Sequence, residues 1–107
     1  MKLSNAQTNY LKAIALRDSA MDKITGQEDD DHPIVKAFED ALDLVDIREV
    51  ELFRWAKNHA AVLCAMVGQS TDTLKEVNAM FDRCISGEYV RYELKQNLIA
   101  LCLKVTG

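Results

Sequence analysis

The chain has 107 residues, 49% of them hydrophobic and 28% charged, with four glycines and one proline. This composition excludes a disordered chain and predicts one domain over residues 1–107 that needs neither metal nor disulfide to hold its core. The longest apolar run, residues 60–67, is short of the about 20 residues of a membrane-spanning helix, and no apolar signal segment opens the chain.

The cysteines are three in number and show no CxxC spacing. Cys64, Cys84 and Cys102 each lie among apolar residues, where a free cysteine behaves as a small hydrophobic side chain. An odd, unpaired set fits a reducing compartment. We therefore expect a cytoplasmic protein that has no membrane partner.

The net charge of −4 is unevenly distributed along the chain. Residues 28–51 contain ten acidic and two basic side chains, a net charge of −8, whereas the other 83 residues carry +4. An acidic segment repels phosphate backbones and anionic membranes. We expect no direct DNA binding.

Helical patterns follow one another along the chain, and no strand pattern interrupts them. The first helix is predicted over residues 5–25, from a Ser4-x-x-Gln7 capping box to a stop at Gly26. The second begins near Pro33, which suits a first helical turn.

A new helix start is predicted near Asp46, where the second helix would turn a corner. Asp46 and Glu49 fit a capping box, and Val45 with Val50 fits the hydrophobic staple that accompanies one. The third helix would then cover residues 47–67. Because it is apolar on two sides, it is expected to be central, or to be covered by a second copy in a homodimer.

Two further helices complete the pattern. One follows a cap at residues 70–72, and the last begins near Glu88. The sequence thus predicts an all-α, compact antiparallel bundle of four to five helices in a single domain.

The loop before the second helix contains Glu28, Asp29, Asp30, Asp31 and His32. Calcium loops place their ligands on alternate residues around a glycine, a pattern that this loop lacks. The sequence has no zinc spacing, phosphate loop or nucleotide fingerprint either. We expect no metal and no cofactor, and a helix cap from Asp31 or His32.

The outer face of the second helix carries Glu39, Asp40 and Asp43. Such a face can simply be solvated, but acids without interleaved lysines also steer basic partners. The main hypothesis is a non-enzymatic inhibitor or adaptor that meets a basic protein surface, like small acidic immunity, antitoxin or phage-encoded inhibitor proteins. Its contact residues would be Asp29, Asp30, Asp31, Glu39, Asp40 and Asp43, with Phe53 or Tyr92 as apolar anchor.

A second hypothesis depends on the segment Arg54-Trp55-Ala56-Lys57-Asn58-His59. It resembles the Arg-x4–6-His motif of the HEPN ribonucleases, which are small, helical and usually dimeric, and this implies metal-independent RNA cleavage by Arg54 and His59. Trp55 departs from the polar residue that often follows the motif's arginine. Residues five apart in a regular helix also point about 140° apart. The alternative is that His59 forms a cap or lines the core beside Trp55, while Arg54 pairs with an acid such as Glu51.

A third hypothesis is a self-associating structural protein in which the apolar helix 47–67 forms the dimer interface.

Overall fold

The computed structural model describes residues 3–59 and 74–104, which form four α-helices and no strand. The helices are α1 (Asn5–Asp22), α2 (Pro33–Lys57), α3 (Leu74–Ser86) and α4 (Tyr92–Lys104). These helices pack on one another, and the predicted all-α bundle is confirmed. Within the described residues, no helix combines the length and apolarity needed to cross a membrane.

The starts of α1 and α2 have the predicted caps. The Ser4 N–H donates to Gln7 Oε1 at 2.8 Å, and the Gln7 N–H donates to Ser4 Oγ at 3.2 Å. His32 caps α2, because its Nδ1 accepts from the Ile34 N–H at 3.1 Å, and Pro33 occupies the first turn. Both caps satisfy backbone donors that have no partner inside the helix.

The predicted corner near Asp46 is wrong, because α2 is one uninterrupted helix of 25 residues that includes Asp46. A buried stripe runs along α2 at helical spacing on both sides of Asp46, so a single straight helix keeps the whole stripe in the core. The stripe consists of Ala41, Val45, Glu49, Leu52, Phe53 and Ala56. Glu49, expected to cap a new helix, instead has its carboxylate paired with Lys95.

The end of α2 also differs from the prediction of a helix over residues 47–67. The helix ends at Lys57, and Asn58 forms its C-terminal cap, with Nδ2 donating to the Arg54 carbonyl oxygen at 3.0 Å. Residues 60–67, the cap at 70–72 and Cys64 lie outside the described residues.

Smaller differences affect the ends of α1 and α4. The first helix ends at Asp22 rather than residue 25, and Met21 is exposed. The last helix begins at Tyr92, four residues after its predicted start. Gly87, with φ at +79°, follows the last residue of α3 in the left-handed conformation expected at a helix C-terminus.

The core lies where α2 meets the other three helices. Phe53 and Phe81 are fully buried, with ring centroids 6.0 Å apart. Cys84 and Cys102 are buried free thiols, as predicted. Burial of Phe53 excludes it as a surface anchor, because its ring already belongs to the core of one chain.

A buried side chain joins the first described helix to the last. Gln7 is fully buried, and its Nε2 donates to the Cys102 carbonyl oxygen at 2.7 Å. That carbonyl lies in the last turn of α4, where carbonyl groups lack helical partners. Gln7 therefore completes the cap of α1 with one end of its amide and the end of α4 with the other.

Replacing Gln7 with alanine should destabilise the protein more than replacing Ser4 with alanine does. Ser4→Ala removes only a cap, which costs about 1 kcal/mol. Gln7→Ala also leaves the Cys102 carbonyl without its donor among the described residues, which should bring the loss to about 2–3 kcal/mol. Urea unfolding followed by circular dichroism measures both values. Equal losses would show that the link between α1 and α4 contributes no stability.

Candidate functional site

The outer face of α2 places four carboxylates on one side of the helix. Glu39, Asp40, Asp43 and Asp46 are all exposed, and at about 100° per residue they lie within an arc of about 120°. Lys36 lies on the same face. The opposite face is buried in the core, so α2 itself separates apolar from acidic side chains.

The loop acids lie directly before this helix. Asp29, Asp30 and Asp31 are exposed, and the cap formed by His32 joins their loop to α2. Asp43 is ten residues after Pro33, about 15 Å along the helix. The six predicted contact residues therefore all belong to the loop and the N-terminal half of α2, and all are exposed. We call this set the acidic surface: Asp29, Asp30, Asp31, Glu39, Asp40 and Asp43.

The acidic surface is not neutralised by the described lysines and arginines. The ion pairs of residues 3–59 and 74–104 join Arg17–Asp18, Arg48–Glu51, Lys57–Asp82, Arg83–Glu88 and Lys95–Glu49. None of them contains one of the six carboxylates, so their charge is available to an external cation.

Glu28 begins the acidic loop but has a different role. Its carboxylate accepts from the Thr25 N–H at 2.9 Å, from Thr25 Oγ1 at 2.8 Å and from the Gly26 N–H at 3.1 Å. These hydrogen bonds, chiefly those from Thr25, lower the pKa of Glu28 to about 2. Glu28 therefore holds the turn in which Gly26 adopts a φ of +91°.

Glu49 also contributes no exposed negative charge, although it belongs to the acidic segment 28–51. It is nearly buried, and its Oε1 lies 2.5 Å from Nζ of Lys95. The hydrogen bond that Lys95 donates to Glu49 raises the pKa of Lys95 against the opposite effect of burial. Burial, and then the charge of Glu49, raises the pKa of Tyr10. This pair was not predicted, because the sequence does not reveal that Lys95 faces α2.

The Glu49–Lys95 pair borders a cavity of about 550 Å³ between α1, α2 and α4. Tyr92 lines this cavity and is 74% exposed. Of the two predicted anchors, Tyr92 thus remains accessible.

An apolar groove runs between α1 and α2 beside the acidic surface. Its volume is about 640 Å³. The residues that line it are Leu16, Ser19, Ala20, Lys23, Pro33, Ile34, Ala37, Asp40, Ala41 and Leu44. Asp40 belongs to both the groove and the acidic surface. The sequence did not predict the groove, because the packing of α1 on α2 forms it.

Arg54 and His59 have different surroundings. Arg54 is exposed and lines a shallow groove with Ile47 and Val50. The imidazole of His59 packs against Trp55, with ring centroids 4.7 Å apart, as one interpretation of the sequence expected. His59 Nδ1 is buried without a hydrogen-bond partner.

The predicted pairing of Arg54 with an acid such as Glu51 is wrong, since no ion pair of the described residues contains Arg54. Glu51 accepts instead from Arg48, with Nη1 and Oε2 2.9 Å apart. Three residues along a helix bring these two side chains to the same face, so Arg54 is left exposed.

No group of three or more histidine, cysteine or acidic side chains in the described ranges is arranged to hold a metal ion. Comparison with protein families, curated proteins and solved structures finds no match for this chain.

The Glu28 carboxyl should titrate at about pH 2, below its ordinary pKa of 4.5. Because the folded pKa is depressed, the stabilisation of the turn is complete above about pH 4.5 and is lost as the pH falls through about 2. Carbon-detected NMR titration measures this midpoint. Thr25→Val should raise it and Thr25→Ser should not, since serine retains the hydroxyl donor; equal midpoints in both variants would contradict the assignment.

Proposed function

We propose that this protein is a non-enzymatic inhibitor or adaptor that docks its acidic surface on a basic surface of another protein. The observation that carries the proposal is the exposure of all six carboxylates without an ion pair to a described lysine or arginine. Carboxylates that serve only solubility are commonly interspersed with bases, whereas Lys36 is the only base in this segment of the loop and helix, residues 28–47.

The acidic surface would act mainly on the rate of association. Unpaired charges of one sign attract an oppositely charged surface before contact and orient it, and salt screens this attraction over about 10 Å. A protein whose basic cleft binds nucleic acid would be a suitable target, because the carboxylates could occupy the positions of phosphates. Inhibition would then follow from occupation of the cleft.

A bundle fixes these charges in place. Glu39, Asp40 and Asp43 project from a helix whose opposite side is buried, so binding need not order their backbone. Less entropy is lost when a binding surface is already ordered. Tyr92, exposed on α4, would supply an apolar contact that slows dissociation.

Charge reversal at Asp40 and Asp43 should slow association without unfolding the bundle, because both side chains are exposed. For a partner isolated by affinity purification from the organism that encodes this chain, we expect Asp40→Lys/Asp43→Lys to lower the association rate at least about tenfold at low salt. Its rate should also depend less on salt. Stopped-flow fluorescence measures both effects.

The matched control is Glu88→Lys/Glu93→Lys. This variant changes the net charge equally at exposed residues outside the acidic surface, and it should bind nearly as the original chain does. The Arg83–Glu88 pair that it removes is exposed and 4.0 Å long, so its loss costs little stability. If the two double variants slow association equally, net charge alone acts and the acidic surface has no special role.

A second candidate function is RNA cleavage by Arg54 and His59. The observation that favours it is the end of α2 at Lys57, between the two residues, so that a regular helix no longer holds them about 140° apart. His59 Nδ1 also has no hydrogen-bond partner among residues 3–59 and 74–104.

Incubation with labelled RNA separates the two functions. If the ribonuclease candidate is correct, the chain cleaves RNA without metal, and His59→Ala and Arg54→Ala each lower the rate by at least about a hundredfold. If the binding function is correct, no cleavage above a buffer blank occurs. A rate that survives both substitutions would indicate a contaminating nuclease.

A further inference from the structure

The groove between α1 and α2 has the length and chemistry of a helix-binding site. Its α2 side extends from Pro33 to Leu44, about 16 Å or three helical turns. Small side chains, Ala20 and Ala37 among them, line it and leave room for larger apolar side chains. Leu16, on the α1 side, is 52% exposed and would lose this exposure beneath a ligand.

The two edges of the groove differ in charge. Asp40 lies on the α2 edge, and Asp43 follows it by about one turn on the exposed face. Lys23 lies on the α1 edge. A ligand that fills the groove therefore meets carboxylates on one side, where its own cations would be favoured, and a single amine on the other.

A second copy of the chain does not fit this charge pattern. A two-fold dimer places the same patch of each chain against its counterpart. Whichever way the two-fold axis runs, such a dimer brings the two acidic surfaces close together. The six carboxylates of each copy outnumber Lys23 and Lys36 beside them, so like charges oppose this dimer. An anionic lipid surface is disfavoured for the same reason.

We infer that this groove binds an amphipathic helix of the partner protein, with a row of apolar side chains inserted between α1 and α2 and with lysines or arginines along the edge near Asp40 and Asp43. The inference rests on the proposed function and specifies what the partner presents. Helices bound in this way insert side chains spaced i, i+3, i+4 and i+7.

The test uses a labelled, acetylated peptide of about 14 residues with leucines at that spacing and lysines elsewhere. Fluorescence anisotropy measures its binding to the full chain. We expect a dissociation constant in the micromolar range. A peptide of the same composition in scrambled order, and one with glutamates in place of lysines, should each bind at least about tenfold more weakly.

Two variants of the chain test the two parts of the site separately. Ala37→Trp places a large ring in the groove at an exposed helical residue, and Ser19→Trp does the same from α1. Asp40→Asn/Asp43→Asn removes the charges of the edge. Each should weaken binding of the leucine–lysine peptide at least about fivefold, whereas Asp18→Asn, outside the groove, should not. Circular dichroism verifies that each variant is folded.

The results distinguish failure of this inference from failure of the proposed function. If the aspartate variant weakens binding while both tryptophan variants and the scrambled peptide bind normally, the acidic surface acts without the groove and the inference is wrong. If neither kind of variant changes binding, the peptide binds elsewhere and the inference is wrong, whereas the proposed function is decided by the association rate of Asp40→Lys/Asp43→Lys with the partner protein. A complex weaker than millimolar, or a dimer in sedimentation that Ala37→Trp dissociates, would also overturn the inference.

Discussion

The fold depends on the burial of one continuous stripe along α2. The residues at its two ends, Ala41 and Ala56, are fifteen positions apart, and burial recurs between them at intervals of one to four residues. The helix packs against α1, α3 and α4, with Phe53 against Phe81 of α3 and Glu49 paired with Lys95 of α4. Because α2 buries one side from Ala41 to Ala56, its other side must face outward. The outward side is where Glu39, Asp40 and Asp43 lie, so the same constraint that forms the core also presents the acids.

The acidic block of the sequence divides into two groups in the structure. Glu28, Glu49 and Glu51 are engaged by Thr25, Lys95 and Arg48. The other seven, the six carboxylates of the acidic surface and Asp46, have no such partners among the described residues. The engaged acids hold the chain together, at the turn before α2 and at the contact between α2 and α4, while the unengaged acids contribute charge. Three of the four glutamates in this block, Glu28, Glu49 and Glu51, are engaged. Glu39 and the shorter aspartates are exposed to solvent.

Local chemistry made parts of this structure predictable. The Ser4–Gln7 cap, the start at Pro33 and the cap by His32 each depend on residues within four positions of one another, so the sequence contains the whole interaction. The exposure of Glu39, Asp40 and Asp43 follows from helical periodicity in the same way.

Other features depend on residues distant in sequence and could not be predicted. The Asp46 and Glu49 pair had the spacing of a cap, but the presence of Lys95 opposite Glu49 and the burial of Leu52 and Phe53 favour an uninterrupted helix. Whether the local cap or the tertiary packing determines the course of the helix cannot be predicted from the sequence of one segment. The groove between α1 and α2 could not be predicted either, since neither helix alone reveals that Ala20 and Ala37 will line the same groove.

The hydrogen bond of Gln7 to Cys102 spans 95 positions of the chain. In a bundle whose outer helices contact only their neighbours, an outer helix can open by itself while the remainder stays folded. Here α1 and α4, which both pack on α2, are also joined to each other by this hydrogen bond. Local opening at either end must therefore break a contact that belongs to both, and this favours cooperative unfolding over fraying.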